Sequence, residues 1–134
     1  MRYLGIDFGT KRVGLAVSDE TGTFATPYMT IENNESLMKT ITDICGEKDI
    51  GEIVIGKPAK GSSVEDSLND FVGQLSITSL LPIHFQNEEM SSVFSDQFKN
   101  YEKPRARQTK KDMTRKKDES AAAIILQRFL DWKE

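Results

Sequence analysis

A chain of 134 residues fits one domain with one hydrophobic core. Its apolar content of 37% and charged content of 29% are ordinary for a soluble globular protein, and one cysteine, Cys45, excludes an internal disulfide framework and suits a reducing cytoplasm. The net charge of −3 argues against a nucleic-acid partner, but its distribution argues for one: eight of the 18 basic residues and one acid, Asp112, stand between Lys103 and Lys117. A strip of local charge +7 on a body of −10 suits contact with a phosphate backbone.

Residues 3–8 (YLGIDF) and 13–18 (VGLAVS) are apolar and β-branched, and the turn residues Gly9, Thr10 and Lys11 separate them, which predicts a β-hairpin. A third strand is expected over 24–31, at a sheet edge because Pro27 cannot donate to a ladder. Leu37, Met38, Ile41, Ile44 and Cys45 are spaced for a helix over 35–48. Ile53-Val54-Ile55 reads as a strand buried on both faces, as in a parallel sheet. Ser62 and Glu65 fit a capping box for a helix carrying Leu68, Phe71, Val72 and Leu75 on one stripe. Residues 82–87 predict a last strand, and a helix over 90–101 follows. The basic segment, about 102–116, lacks an apolar period and predicts a mobile loop. The final helix, about 116–132, sets Ala122, Ile125, Phe129 and Trp132 on one face. The order βββαβαβαα means a mixed sheet with helices packed on it. No stretch reaches the roughly 20 apolar residues of a membrane span, and the N-terminus MRYLGIDFGTK has no secretory pattern.

Three acids could carry chemistry. Asp7 closes a strand between Ile6 and Phe8, where a carboxylate is costly unless it is paired or binds a cation. It fits a residue capping a hairpin turn equally well. Glu88 follows the last strand, on the face of His84 and Gln86, at the end where α/β sheets place their sites. Asp118 shares a helix face with Ala122, Ile125 and Phe129, so it points toward the core. Glu88 and Asp118 also suit helix N-termini, where acids complement the dipole. Converging carboxylates would form a hard oxygen site for one or two Mg²⁺ or Mn²⁺ ions, which can drive phosphodiester hydrolysis. Residues 56–62, leaving a buried strand with Lys57 and Lys60, could hold a phosphate or form a plain loop; the P-loop pattern is absent. His84 is the only histidine and reads as a structural or surface residue, and Cys45 reads as a small buried hydrophobe.

YLGIDFGTKRVGLAVSD, VIGKPAKGS, NEEMSS and DESAAAIILQRFLD together resemble the YqgF family over nearly the whole chain. That family comprises pre-16S rRNA nucleases and Holliday-junction-resolvase-like proteins. The resemblance implies a ribonuclease H-like α/β domain spanning 1–134, with a five-stranded mixed sheet, its first three strands antiparallel, flanked by helices. It implies Asp7, Glu88 and Asp118 as the catalytic, metal-binding acids. The family reads Asp-Glu-Arg where this chain has Asn87-Glu88-Glu89, which removes a rigid bidentate partner for phosphate.

The expected function is metal-dependent cleavage of structured nucleic acid, with 5′-end maturation of pre-16S rRNA as the task. Gly9, Thr10, Lys11, Arg12, Lys57, Lys60, Arg105, Arg107, Lys110, Lys111 and Arg115 are expected to hold the substrate backbone. Holliday-junction resolution uses the same chemistry but needs a dimer for symmetric cuts, and the sequence suits a monomer or a homodimer. A non-catalytic RNA-binding assembly factor would bind RNA in a salt-sensitive way and survive Asp7→Asn. An actin-like ATPase also opens with Asp-x-Gly-Thr, but it needs two such domains and this chain holds one.

Overall fold

The computed structural model describes residues 1–57, 64–87 and 110–133, with backbone alone at 87, 110–117 and 119. Alternation builds the centre of the sheet. In β1 (Arg2–Phe8), Leu4, Ile6 and Phe8 pack to one side, while Tyr3, Gly5 and Asp7 take the other. β2 (Arg12–Ser18) pairs antiparallel with β1, Ile6 facing Leu15 and Asp7 facing Gly14. β3 (Ala25–Glu32) pairs antiparallel with β2. Pro27 sits beside a register shift between Leu15 and Ala16, on the edge strand that its missing N–H requires.

The chain then crosses through α1 (Leu37–Glu47) to β4 (Ile50–Lys57), which lies parallel to β1. Ile53, Val54 and Ile55 are fully buried, as a strand covered on both faces must be. After α2 (Glu65–Ser79), β5 (Ile83–Asn87) adds parallel to β4 and completes a five-stranded sheet in the order β3-β2-β1-β4-β5. The last helix, α3 (Lys110–Trp132), covers the opposite face from α1 and α2. Leu4, Ile6, Ile41, Ile53, Ile55 and Leu75 fill the α1/α2 side; Tyr3, Val54, Ala122, Ile125, Leu126 and Phe129 fill the α3 side.

Two expectations about helix ends change. The residue capping α2 is Val64, in a helical conformation and with no side-chain cap bond, rather than Ser62. A helix held by the burial of Leu68, Phe71 and Leu75 does not depend on a side-chain cap. α3 starts at Lys110, not near 116, so Lys110, Lys111 and Arg115 belong to a helix instead of the expected loop. Lys and Arg propagate a helix well, which an apolar-period criterion does not register. The helix expected over 90–101 lies outside the described residues.

Candidate active site

Contacts along α3 fix where Asp7 and Asp118 lie. The Tyr3 ring is 5.9 Å from that of Phe129. A Cβ on Gly5 would fall 2.7 Å from Leu126 Cβ and 3.0 Å from the Ala122 carbonyl oxygen. The helix therefore runs antiparallel to β1. Asp7 lies two residues beyond Gly5, on the same face, and Asp118 lies one turn before Ala122. Both carboxylates thus belong to the α3 side of the sheet, at the C-terminal end of β1. Asp7 pairs with Gly14 on β2, and on β4 Gly56, which follows Ile55, the partner of Ile6, admits the Ile125 side chain, whose Cδ1 is 2.5 Å from where a Cβ would stand.

Arg12, at the start of β2, reaches across this end. Its Nε donates to Asp118 Oδ2 at 3.0 Å, joining residues 106 positions apart. Its register partner on β3 is Glu32. The β1–β2 turn is clamped by Asn33, whose Nδ2 donates to the Gly9 carbonyl oxygen at 2.8 Å and whose backbone N–H donates to that of Lys11 at 2.9 Å. Gly9 has no room for a side chain, because a Cβ would sit 2.5 Å from the Arg12 carbonyl oxygen. Thr10 and Lys11 are exposed on the turn, and Lys57 is exposed at the end of β4. They share one end of the sheet with Asp7.

Of the other expected site residues, Glu88, Lys60, Arg105 and Arg107 lie outside the described residues. β5 stops at Asn87, immediately before Glu88, paired with Lys57. Lys110, Lys111 and Arg115 lie in the N-terminal half of α3, the half that carries Asp118. Among the described residues, no three His, Cys, Asp or Glu side chains gather into a metal-sized group. The two acids placed here are hard oxygen donors, the type that magnesium and manganese take.

Two features at this end escaped the sequence reading: Asn33, and the pairing of Arg12 with Asp118. Nothing local marks Asn33 as the clamp on a turn 24 residues earlier. Arg12 stood out as a cation, but its acid partner is distant in the chain. His84 is structural: it pairs with Glu52, and its ring lies 4.8 Å from that of Phe129. Burial pushes the Cys45 thiol up to about 11, which leaves it neutral and unreactive at ordinary pH. A cleft of about 360 Å³, lined by Phe8, Asn33, Glu35, Met38, Asp70 and Phe71 among others, opens on the α1/α2 side, away from the two acids.

A mixed sheet of this order, with an acid ending its central strand and a second on the helix across it, defines the ribonuclease H-like class. Solved structures agree in fold. RuvC of T. thermophilus, in complex with a Holliday junction substrate, superposes with a TM-score of 0.63 at 10% identity, covering 99% of this chain and 95% of that one. The fowlpox virus resolvase, with Holliday junction DNA, gives 0.55 at 11% identity over 98% and 97%.

The family model described as RuvX, Holliday junction resolvase, matches residues 1–132. A protein of Maridesulfovibrio salexigens, named as a candidate pre-16S rRNA nuclease, is 36% identical over 97% of this chain and 98% of its own. One of the same name from Sulfurihydrogenibium sp. is 37% identical over 97% and 90%. The chain belongs to the RuvX family, which is the YqgF family its motifs resemble, and with it to the nucleases.

Proposed function

We propose that the chain is a metal-dependent endonuclease acting on structured nucleic acid, with precursor 16S rRNA as its substrate. The observation that carries this is the placement of Asp7 and Asp118 at one end of the α3 side of the sheet. Glu88, one residue beyond the end of β5, is the third acid of the set. The three would hold one or two Mg²⁺ or Mn²⁺ ions. When bound, such ions supply an activated water and stabilise the oxygen that leaves phosphorus.

The chain's own residues do the rest. Asp7, at the C-terminal end of β1, offers its carboxylate to an approaching ion. Asn33 fixes the turn that presents Thr10 and Lys11. Lys11 and Lys57 meet the phosphate backbone at the same end. The basic residues Arg105, Arg107, Lys110, Lys111 and Arg115 extend that contact, which is independent of sequence and weakened by salt. The names of the 36–37% identical relatives support precursor rRNA over branched DNA.

The test is a cleavage assay on precursor rRNA and on a four-way junction, with Mg²⁺ and with Mn²⁺. Wild type should cut the rRNA. Asp7→Asn should lose at least about 100-fold in rate, the upper end of what even outer partners of a metal cost. It should keep its thermal melting temperature within a few degrees. Undiminished cutting by Asp7→Asn overturns the assignment.

A further inference from the structure

Arg12 carries more than the backbone contact its charge suggests. Its bridge to Asp118 is partly sheltered, with the two side chains 37% and 24% exposed, so solvent and salt screen it less than a surface pair. Asp118 lies one turn before Ala122, which meets Gly5, and its side chain is three-quarters buried, where a carboxylate is costly without a counter-charge. The bridge occupies Oδ2 of an acid assigned to metal binding. Glu32, the register partner of Arg12, projects from β3 on the same face, and such partners lie about 5 Å apart at Cβ. A guanidinium that leaves Asp118 therefore has a second carboxylate position next to it.

We propose that Arg12 is a positioning residue that stands in for the metal: it holds Asp118 neutralised and aimed until a divalent cation takes the carboxylate. This rests on the nuclease reading above and assigns Arg12 a role in loading the site. The same carboxylate cannot serve both cations freely. A unit charge roughly 6–12 Å from a divalent ion costs roughly three- to tenfold in affinity when mostly water lies between them. Arg12 thus trades metal affinity for a carboxylate already in place.

The experiment is calorimetric titration of Mn²⁺ into the protein without nucleic acid, for wild type, Arg12→Gln, Arg12→Lys and Asp118→Asn, with cleavage rates alongside. Arg12→Gln should bind Mn²⁺ roughly three- to tenfold more tightly than wild type, yet cut more slowly because Asp118 is no longer held. Arg12→Lys, which keeps the charge, should return to wild-type affinity. A residue that only held the substrate backbone would leave Mn²⁺ affinity unchanged and weaken nucleic-acid binding alone. That result, or weaker Mn²⁺ binding by Arg12→Gln, overturns the proposal while wild-type binding and its loss in Asp118→Asn leave the nuclease reading standing. No Mn²⁺ binding by wild type overturns both. Should Arg12→Gln not fold, the Arg12 Nε–H resonance of the wild type decides: it should shift saturably with Mg²⁺, and a resonance that stays put overturns the proposal.

Discussion

Asp19 shows how one side chain organises a turn. Its Oδ1 accepts the backbone N–H groups of Thr23 at 2.8 Å and Phe24 at 3.0 Å, and its Oδ2 accepts the Thr21 hydroxyl. These bonds, that from Phe24 first, favour the charged form and hold the carboxyl at about 2, against 3.8 for the free group. The folded value lies below the unfolded one, so the stabilisation is present above about 3.8 and is lost as pH falls through about 2. Asp19→Asn, with a neutral acceptor in the same place, should melt lower than wild type at pH 7. The gap should close by pH 2. Urea melts at pH 7, 4 and 2 measure it, and a gap independent of pH sinks the argument. Asp7 was legible in the sequence, because an acid ending an apolar strand needs a reason. The Arg12–Asp118 bridge was not, because no local rule joins residues on different elements.

At the scale of elements, α3 sets the geometry of the site through one close approach. Gly5→Ala puts a Cβ 2.7 Å from Leu126 Cβ and 3.0 Å from the backbone of Ala122, so the helix must lift. Overpacking of this kind costs about 1–3 kcal/mol. Replacing a strand glycine returns only about 0.5–1 kcal/mol. The variant should therefore be less stable in urea, and it should lose cleavage as Asp118 moves away from Asp7. Gly73, exposed within α2 with nothing within 4 Å of its Cβ position, gives the opposite sign. Gly73→Ala should gain about 0.5–1 kcal/mol and leave cleavage unchanged. Strands and helices with a strong period were legible: the hairpin, the Pro27 edge strand, the buried β4 and the inward face of α3 from Ala122 to Phe129 lie where the pattern put them, whereas Trp132, set on that face by its spacing, is 78% exposed at the helix end. The starts of α2 and α3 were not, because capping and propensity are weak beside tertiary burial and a run of charges hides a helix.

Over the whole molecule, charge is divided between a body of −10 and a segment, Lys103–Lys117, of +7. A body of that sign repels a polyanion, so nucleic acid is best approached through the segment and through the cations at the acid-bearing end of the sheet, where Lys11 and Lys57 are exposed. Arg12 is held by Asp118, which leaves two exposed lysines there as described cations for phosphate. On the proposed reading the segment dominates affinity. Each phosphate it neutralises adds about 0.7 to the slope of log affinity against log salt for a single strand, and about 0.9 for a duplex. Changing Arg105, Arg107, Lys110 and Lys111 together to Gln should lower that slope by up to about 3 and weaken RNA binding most at low salt. Because none of the four is assigned to the acids, Mn²⁺ affinity should not move. Filter binding from 50 to 300 mM KCl gives the slope, and calorimetry gives the metal. An unchanged slope would place the contact on the sheet end alone and make the basic segment a bystander.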